Sequence, residues 1–363
     1  MLLMENEIVR DVYEIERLLG EGAFAEVYRV KHKFLGKQAL KVIKLPGLTV
    51  EEIEEMMDEA VILSKIGHPN VIRVFDAGII TTNKGMHSFF TMEYVAGGTL
   101  ETFWRSHIDK YISLNDTINI VSQICKGLSV AHSENPPIVH RDIKPQNILI
   151  GYDSTGLRVR VSDFGLAKKV NPLTLAVSAK GTLGFKPPEY LSNMDSCAGD
   201  VWAIGCILYL MLTDHMPYSG EDSTGIRDNN SLKYPLIPPS KYNIRVSAGL
   251  DAIVLKTLEI RPENRYPDAT AMLDDLVKWK PSEPGAAYIK KVETDKTKNS
   301  FEIVPQISDT VVKQKLSEAL KLARQAYSLN EAADMLEEVL NQSPELRKEY
   351  ENQLRLWRRG IIM

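Results

Sequence analysis

Ile138–Gly151 reads IVHRDIKPQNILIG. His140, Arg141, Asp142, Lys144 and Asn147 crowd together directly before a short apolar run, Asn147–Ile150. That run is strand-like. Gly151–Gly156 (GYDSTG) is turn chemistry, and Leu157–Val161 (LRVRV) alternates apolar and basic residues, so the segment predicts a hairpin. With the midpoint near Thr155, Asn147 and Asp163 are equidistant from the turn and emerge at the same end. An amide oxygen and a carboxylate placed there suit a hard cation such as Mg²⁺. Asp142 and Lys144 are two residues apart, so extended backbone points them the same way. One could orient a hydroxyl nucleophile; the other could offset negative charge beside it.

Upstream, the chain alternates like a sheet. Val12–Gly20, Glu26–Lys33 and Gln38–Leu45 are strand-like runs between glycine-bearing turns, and HPNVIRVFDAG (His68–Gly78) and HSFFTMEYV (His87–Val95) add two more. Between them Thr49 and Glu52 form a capping box, and Ile53, Met56, Ala60 and Leu63 make one helical stripe. The expectation is a five-stranded sheet carrying one helix. GEGAFAEV (Gly20–Val27) is a glycine-rich turn whose backbone N–H groups can approach a phosphate closely, although Gly-x-Gly also makes ordinary hairpins. It leads into a strand and not a helix, which argues against a dinucleotide site. Lys41 follows on the next strand. Glu59 lies on the capped helix, able to meet that lysine, with Glu51, Glu52, Glu54 and Glu55 crowding the same helix as a solvated face. The plain alternative is a surface ion pair of little energetic weight.

Downstream of Gly97 the periodicity becomes mostly helical. The longest apolar run, Val201–Leu212, is too short for a membrane span and reads as a buried core helix. Residues 281–308 read as a linker, and 309–363 as an α-helical extension that docks on the main body or serves a protein partner. Among 363 residues, 44% are hydrophobic and 25% charged, and 44 Lys+Arg against 48 Asp+Glu give a net charge of -4. That balance invites neither nucleic acid nor a membrane surface. Cys125, Cys197 and Cys206 lack metal-ligand spacing, and their odd number argues against a disulfide framework. No signal-peptide layout opens the sequence; a reducing cytoplasm is the expected compartment.

Taken in order, Gly20-x-Gly22-x-x-Ala25-x-Val27, Ala39-Leu40-Lys41, Glu59, His140 to Asn147, Asp163-Phe164-Gly165, Pro187-Pro188-Glu189, Asp200–Gly205 and Arg265 resemble a eukaryotic-type (Hanks-type) protein serine/threonine kinase over roughly residues 8 to 280. The resemblance implies an α+β bilobal fold, with an N-lobe over 8–95 and a mostly helical C-lobe over 96–280. It implies transfer of the γ-phosphoryl group of ATP to Ser/Thr hydroxyls of proteins, with Mg²⁺ or Mn²⁺. By the same resemblance Gly20, Glu21, Gly22, Ala23, Phe24 and Ala25 cover the phosphates. Lys41 binds them and is held by Glu59. Val27, Ala39 and Leu149 sandwich adenine, Met92 stands before the hinge, and Glu93 to Val95 bond the ring. Asp142 accepts or orients the substrate hydroxyl proton, Lys144 stabilises charge, and Asn147 and Asp163 hold the metal. His140 and Asp200 are architectural, the latter capping its helix while bonding the loop backbone. Ala25 replaces a glycine, and Pro187 and Phe185 stand where Ala and Tyr are common; none of these removes a reacting group. Thr174 and Ser178 are expected phosphorylation sites that pair with Arg141. Two other readings remain open: a pseudokinase scaffold that binds nucleotide without transfer, and a small-molecule phosphotransferase of related fold.

Overall fold

The computed structural model describes residues 1–22, 25–44, 58–106, 112–154, 156–164, 183–192, 195–218, 232, 235–280, 316–321, 329–342, 350, 353, 354 and 357. The early alternation becomes β1 (Ile8–Val9), β2 (Tyr13–Glu21), β3 (Ala25–His32), β4 (Gly36–Ile43), β5 (Val74–Thr82) and β6 (Gly85–Glu93). They form one antiparallel sheet in the order β1-β2-β3-β4-β6-β5. The sheet therefore has six strands and not the expected five. The extra edge strand pairs only Ile8 and Val9 with Glu14 and Tyr13, too few residues for a period-two pattern to register. The tight β3–β4 turn closes on Gly36, whose φ of 78° suits a residue without Cβ.

Alternation gives the sheet two apolar faces. Tyr28, Val30, Leu40, Val42 and Phe89 bury one face with Ile15 and Leu3. Ala39, Phe90 and Met92 point the other way, into the large core shared with the helical part. Register sets that second face: Val27 pairs Lys41 and Lys41 pairs Phe90, while Ala39 pairs Met92. Directly opposed residues share a face, so Lys41 lies on the side that meets the rest of the molecule. Helix α1 (Asp58–Lys65) buries Ala60 and Leu63 in the same core; the expected capping box at Thr49 and Glu52 lies outside the described residues.

Behind the sheet, α2 (Leu100–Arg105) is capped by Thr99, and α3 (Leu114–His132) by Ser113, which accepts the Asp116 N–H at 3.0 Å. Helix α3 buries Ile120, Val121, Ile124, Leu128 and Ala131 along one stripe. The hairpin β7 (Ile148–Asp153) and β8 (Gly156–Val161) packs on α3, Asn70 tying it down: Asn70 Nδ2 donates to Gln123 Oε1 at 2.9 Å and to the Val159 carbonyl at 3.0 Å. The apolar run expected as a core helix is α4 (Cys197–Thr213), buried on nearly every side, with α5 (Ala248–Thr257) and α6 (Ala269–Lys278) beside it. Gly97 marks where the sheet hands over to the helical part. A Cβ there would stand 2.3 Å from the Ile150 carbonyl oxygen, so only glycine permits that approach.

The chain divides into two compact units, Met1–Glu283 and Pro284–Met363. In the second, α7 (Leu329–Gln342) packs Ala332, Ala333, Leu336 and Leu340 against Ala319 and Trp357. The expected linker at 281–308 lies outside the described residues. Among the described residues no helix is long and apolar enough to cross a membrane.

Candidate active site

The loop before β7 is held by a buried carboxylate. Asp200, in the first turn of α4, accepts the backbone N–H of His140 on Oδ2 at 2.7 Å and that of Arg141 on Oδ1 at 2.8 Å. His132 at the end of α3 also reaches Asp200 Oδ2, at 3.1 Å. Its Nδ1 accepts the Ala269 N–H, which leaves Nε2 as the protonated nitrogen that donates. The architectural role expected of Asp200 is thus seen at the loop backbone, but the helix cap is Ser196, whose side chain accepts the Gly199 N–H. Two orphan amides at a bend needed the carboxylate more than a helix terminus already served by serine. With Arg141 in left-handed backbone at φ 70°, the loop turns sharply just before Asp142.

His140 is fully buried against Phe164, the ring centroids 4.5 Å apart. Burial pushes its pKa down, in keeping with a neutral ring that donates from Nε2 to the Ser162 carbonyl at 2.9 Å and accepts the Asp142 N–H on Nδ1 at 3.3 Å. Asp142 is therefore fixed at its backbone. Its carboxylate is fixed too: Lys144 Nζ lies 2.7 Å from Oδ2, Asn147 Nδ2 donates to the same oxygen at 3.0 Å, and Lys186 Nζ lies 3.0 Å from Oδ1. Burial would raise the Asp142 pKa, but the ammonium groups of Lys186 and Lys144 outweigh it and bring it down to about 2.

The hairpin centre falls between residues 154 and 155, slightly before the expected midpoint, so Asn147 faces Ser162. The Ser162 N–H and hydroxyl both bond the Asn147 carbonyl, at 2.9 and 3.0 Å. Asp163 lies one residue further in left-handed backbone, φ 62°. There its Oδ1 meets Lys41 Nζ, 122 positions earlier in the chain and nearly buried at 3% exposure. The ammonium of Lys41 also stands 5.3 Å from the Phe90 ring centroid. Asp142, Lys144 and Asn147 are thus in contact, with Asp163 and Lys41 joined to each other at the open end of the same hairpin.

The remaining expected residues distribute as follows. Gly20 and Glu21 end β2, and the Gly22 N–H closes a turn on the Ala25 carbonyl at 2.8 Å; Ala23 and Phe24 lie outside the described residues. Ala25 is free of positive φ, so its Cβ costs the turn nothing in backbone strain. Ala39 and Met92 are buried, and Val27, Val95 and Leu149 pack partly buried on the same core. Glu59 sits on α1, but its side chain lies outside the described residues, as do Thr174 and Ser178. Arg265 and Glu189 pair with two near-parallel bonds of 2.6 and 2.8 Å. Among the described residues no group of three or more His, Cys, Asp and Glu could hold a metal. The Asp163 carboxylate and the Asn147 side-chain oxygen, whose NH₂ is committed to Asp142, are the hard oxygens here that could hold a divalent ion of the Mg²⁺ type.

Two residues escaped the sequence reading. Lys186 sits in a mostly apolar stretch, and the signal available was a lysine where burial was expected. Arg160, on β8, donates to both Glu93 carboxylate oxygens at 3.0 and 3.1 Å, joining the hairpin to the end of the sheet. Nothing in the alternation of LRVRV singles that arginine out.

A family model for the protein kinase domain matches residues 13–277. Serine/threonine-protein kinase PknB of Mycobacterium tuberculosis is 32% identical over 302 residues, covering 80% of this chain and 46% of the relative. A probable serine/threonine-protein kinase of Clostridium acetobutylicum is 32% identical over 278 residues, covering 75% of this chain and 40% of the relative. The chain spans about half the length of the curated relatives it matches. Among solved structures, the PknI kinase domain of Mycobacterium tuberculosis superposes with a TM-score of 0.56 at 22% identity, covering 76% of this chain and 99% of that one, a likeness of fold. With the ordered motifs and the geometry they build, these matches place the chain in the protein kinase family, on its serine/threonine branch.

Proposed function

We propose that the chain transfers the γ-phosphoryl group of ATP to Ser/Thr hydroxyls of protein substrates. The observation that carries this reading is the meeting of Lys41, from the sheet, with Asp163, at the end of the hairpin that seats Asn147 under Asp142. Adenine would lie against Val27, Ala39, Met92, Val95 and Leu149, bonding the backbone of Glu93 to Val95, with the phosphates under Gly20–Val27. Asn147 and Asp163 would hold Mg²⁺ or Mn²⁺, which offsets charge on the β- and γ-phosphate oxygens when bound. Lys41 would bind the α/β-phosphates, with Glu59 as its second carboxylate.

In the transfer the acceptor oxygen bonds to the γ-phosphorus while the bond from the bridging β,γ-oxygen breaks, and ADP leaves with that electron pair. The acceptor hydroxyl donates to Asp142. A carboxylate held near pKa 2 is a weak base, so Asp142 orients the hydroxyl early and takes its proton only when the new O–P bond has made that proton acidic. Lys144 stabilises the charge beside it. The reaction belongs in the cytoplasm, where ATP is abundant and cysteines outside disulfides, such as Cys125, Cys197 and Cys206, stay reduced. Phosphate on Thr174 or Ser178 would compete for Arg141, whose Nε lies 3.0 Å from Asp195.

The test is D142N. Phosphate incorporation from ATP·Mg²⁺ should fall at least about 100-fold while the ATP-induced rise in melting temperature persists. Wild-type rates in the variant would refute the role of Asp142. A wild-type chain stabilised by ATP·Mg²⁺ that never transfers phosphate would instead be a nucleotide-binding scaffold.

A further inference from the structure

Lys186 lies between two short turns, Leu183–Phe185 and Pro188–Ser192, and is only 9% exposed. Burying an ammonium is costly unless it is paired, and an unbranched apolar side chain of that length would fill the space without that cost. The partners explain the charge. Lys186 Nζ donates to Asp142 Oδ1 at 3.0 Å and to the Arg141 carbonyl at 2.7 Å, and stands 4.9 Å from the Tyr190 ring centroid. Lys144 and Asn147 take the other carboxylate oxygen. Asp142 is therefore gripped from two sides, by its own loop and by a segment from elsewhere in the chain. Three residues on, Glu189 is locked to Arg265, so the segment that carries Lys186 is anchored in the helical core.

We propose that Lys186 is a positioning residue for phosphoryl transfer: its bond to Oδ1 fixes the rotation of the Asp142 carboxylate and ties that orientation to the seating of residues 183–192. Lys186 touches neither nucleotide nor acceptor; it acts through Asp142. The inference rests on the reading of Asp142 given above. If the segment shifts, Oδ1 loses its ammonium and the carboxylate is held at Oδ2 alone, by Lys144 and Asn147, so it rotates more widely about χ2 and meets the acceptor hydroxyl in the productive direction for less of the time.

The full chain, wild type, D142N, K186M and K186R, is assayed with ATP·Mg²⁺ and a lysine-rich histone as acceptor, with incorporation into the chain itself counted as well. K186M should lower the maximal rate about 10-fold or more, with half-saturating ATP within about threefold of wild type and the ATP-induced thermal shift retained. K186R, which keeps the charge, should recover most of that rate. A K186M rate within about twofold of wild type beside an inactive D142N overturns this inference alone. So does loss of the thermal shift in K186M, because that marks a structural role. If K186M does not fold, K186Q is compared with K186R; equal rates overturn the inference. D142N as active as wild type, or a wild type that transfers no phosphate, overturns the reading of the site itself.

Discussion

Removing Arg265 tests whether the segment beneath the site is held by charge or by packing. The Arg265 and Glu189 side chains are 0% and 5% exposed, and the pair is bidentate. The guanidinium also donates to the carbonyls of Glu259 at 2.6 Å, Ile260 at 2.8 Å and Ala198 at 3.2 Å, and lies 4.8 Å from the Trp202 ring centroid. Methionine at 265 fills much of the volume but strands a buried carboxylate, for which about 3–5 kcal/mol is the expected loss. Replacing both partners by apolar groups, R265M/E189L, removes that stranded charge. It leaves three carbonyls short of a donor, and some of these can turn to water, so the expected loss is about 1–3 kcal/mol. The double variant should therefore be more stable than R265M despite carrying one more substitution, with a coupling of about 2 kcal/mol or more. Urea titration of wild type, both singles and the double, with the m-values compared, reads this directly. A double variant whose loss equals the sum of the singles would show that the two side chains act independently, and the account of the anchored segment would fail.

K41M should abolish phosphate transfer and weaken the ATP-induced thermal shift while changing the apo stability little. The Asp163 partner is one-third exposed and can turn to water, so the expected loss is no more than about 1 kcal/mol; an apo melting temperature lower by more than about 10 °C would contradict this. Thiol chemistry should separate the cysteines. Burial pushes Cys125 up to about 12 and Cys206 is fully buried, whereas Cys197 is partly exposed. Iodoacetamide on the native chain at pH 8, mapped by mass spectrometry, should label Cys197 first, and prior labelling of Cys125 would contradict the burial of α3.

The legible parts of this chain were those where one residue type answers one local demand. A short apolar run at Asn147–Ile150, turn chemistry at Gly151–Gly156 and an alternating strand after it made the β7–β8 hairpin visible, although β7 itself continues through Gly151 to Asp153. The face on which Lys41 lies follows from strand parity. The two-residue strand at Ile8 was invisible for the opposite reason: its pairing is tertiary and leaves no period. The cap on α4 was misread because Asp200 and Ser196 both look like caps, and only the fold reveals that the loop amides claim the aspartate. Lys186 and Arg160 escaped because their meaning lies wholly in partners 44 and 67 residues away.

The contacts also divide the site into two groups that differ in burial. Asp142 and its supports, Asp200, His140, Asn147, Lys144 and Lys186, belong to the hairpin and the helical core, bound to one another by bonds of 2.7–3.3 Å. Lys41 and the glycine-rich turn belong to the sheet, and of the side chains in the Lys41–Asp163 and Glu93–Arg160 pairs that meet the hairpin, Asp163, Glu93 and Arg160 are partly open to water while Lys41 is buried. Exposed or half-exposed ion pairs are weak and salt-screened, whereas the Asp200 bonds to the loop amides are buried. Lys186 belongs with the buried group: its Nζ meets Asp142 from a segment locked by the Glu189–Arg265 pair, and so not from the sheet that carries Lys41.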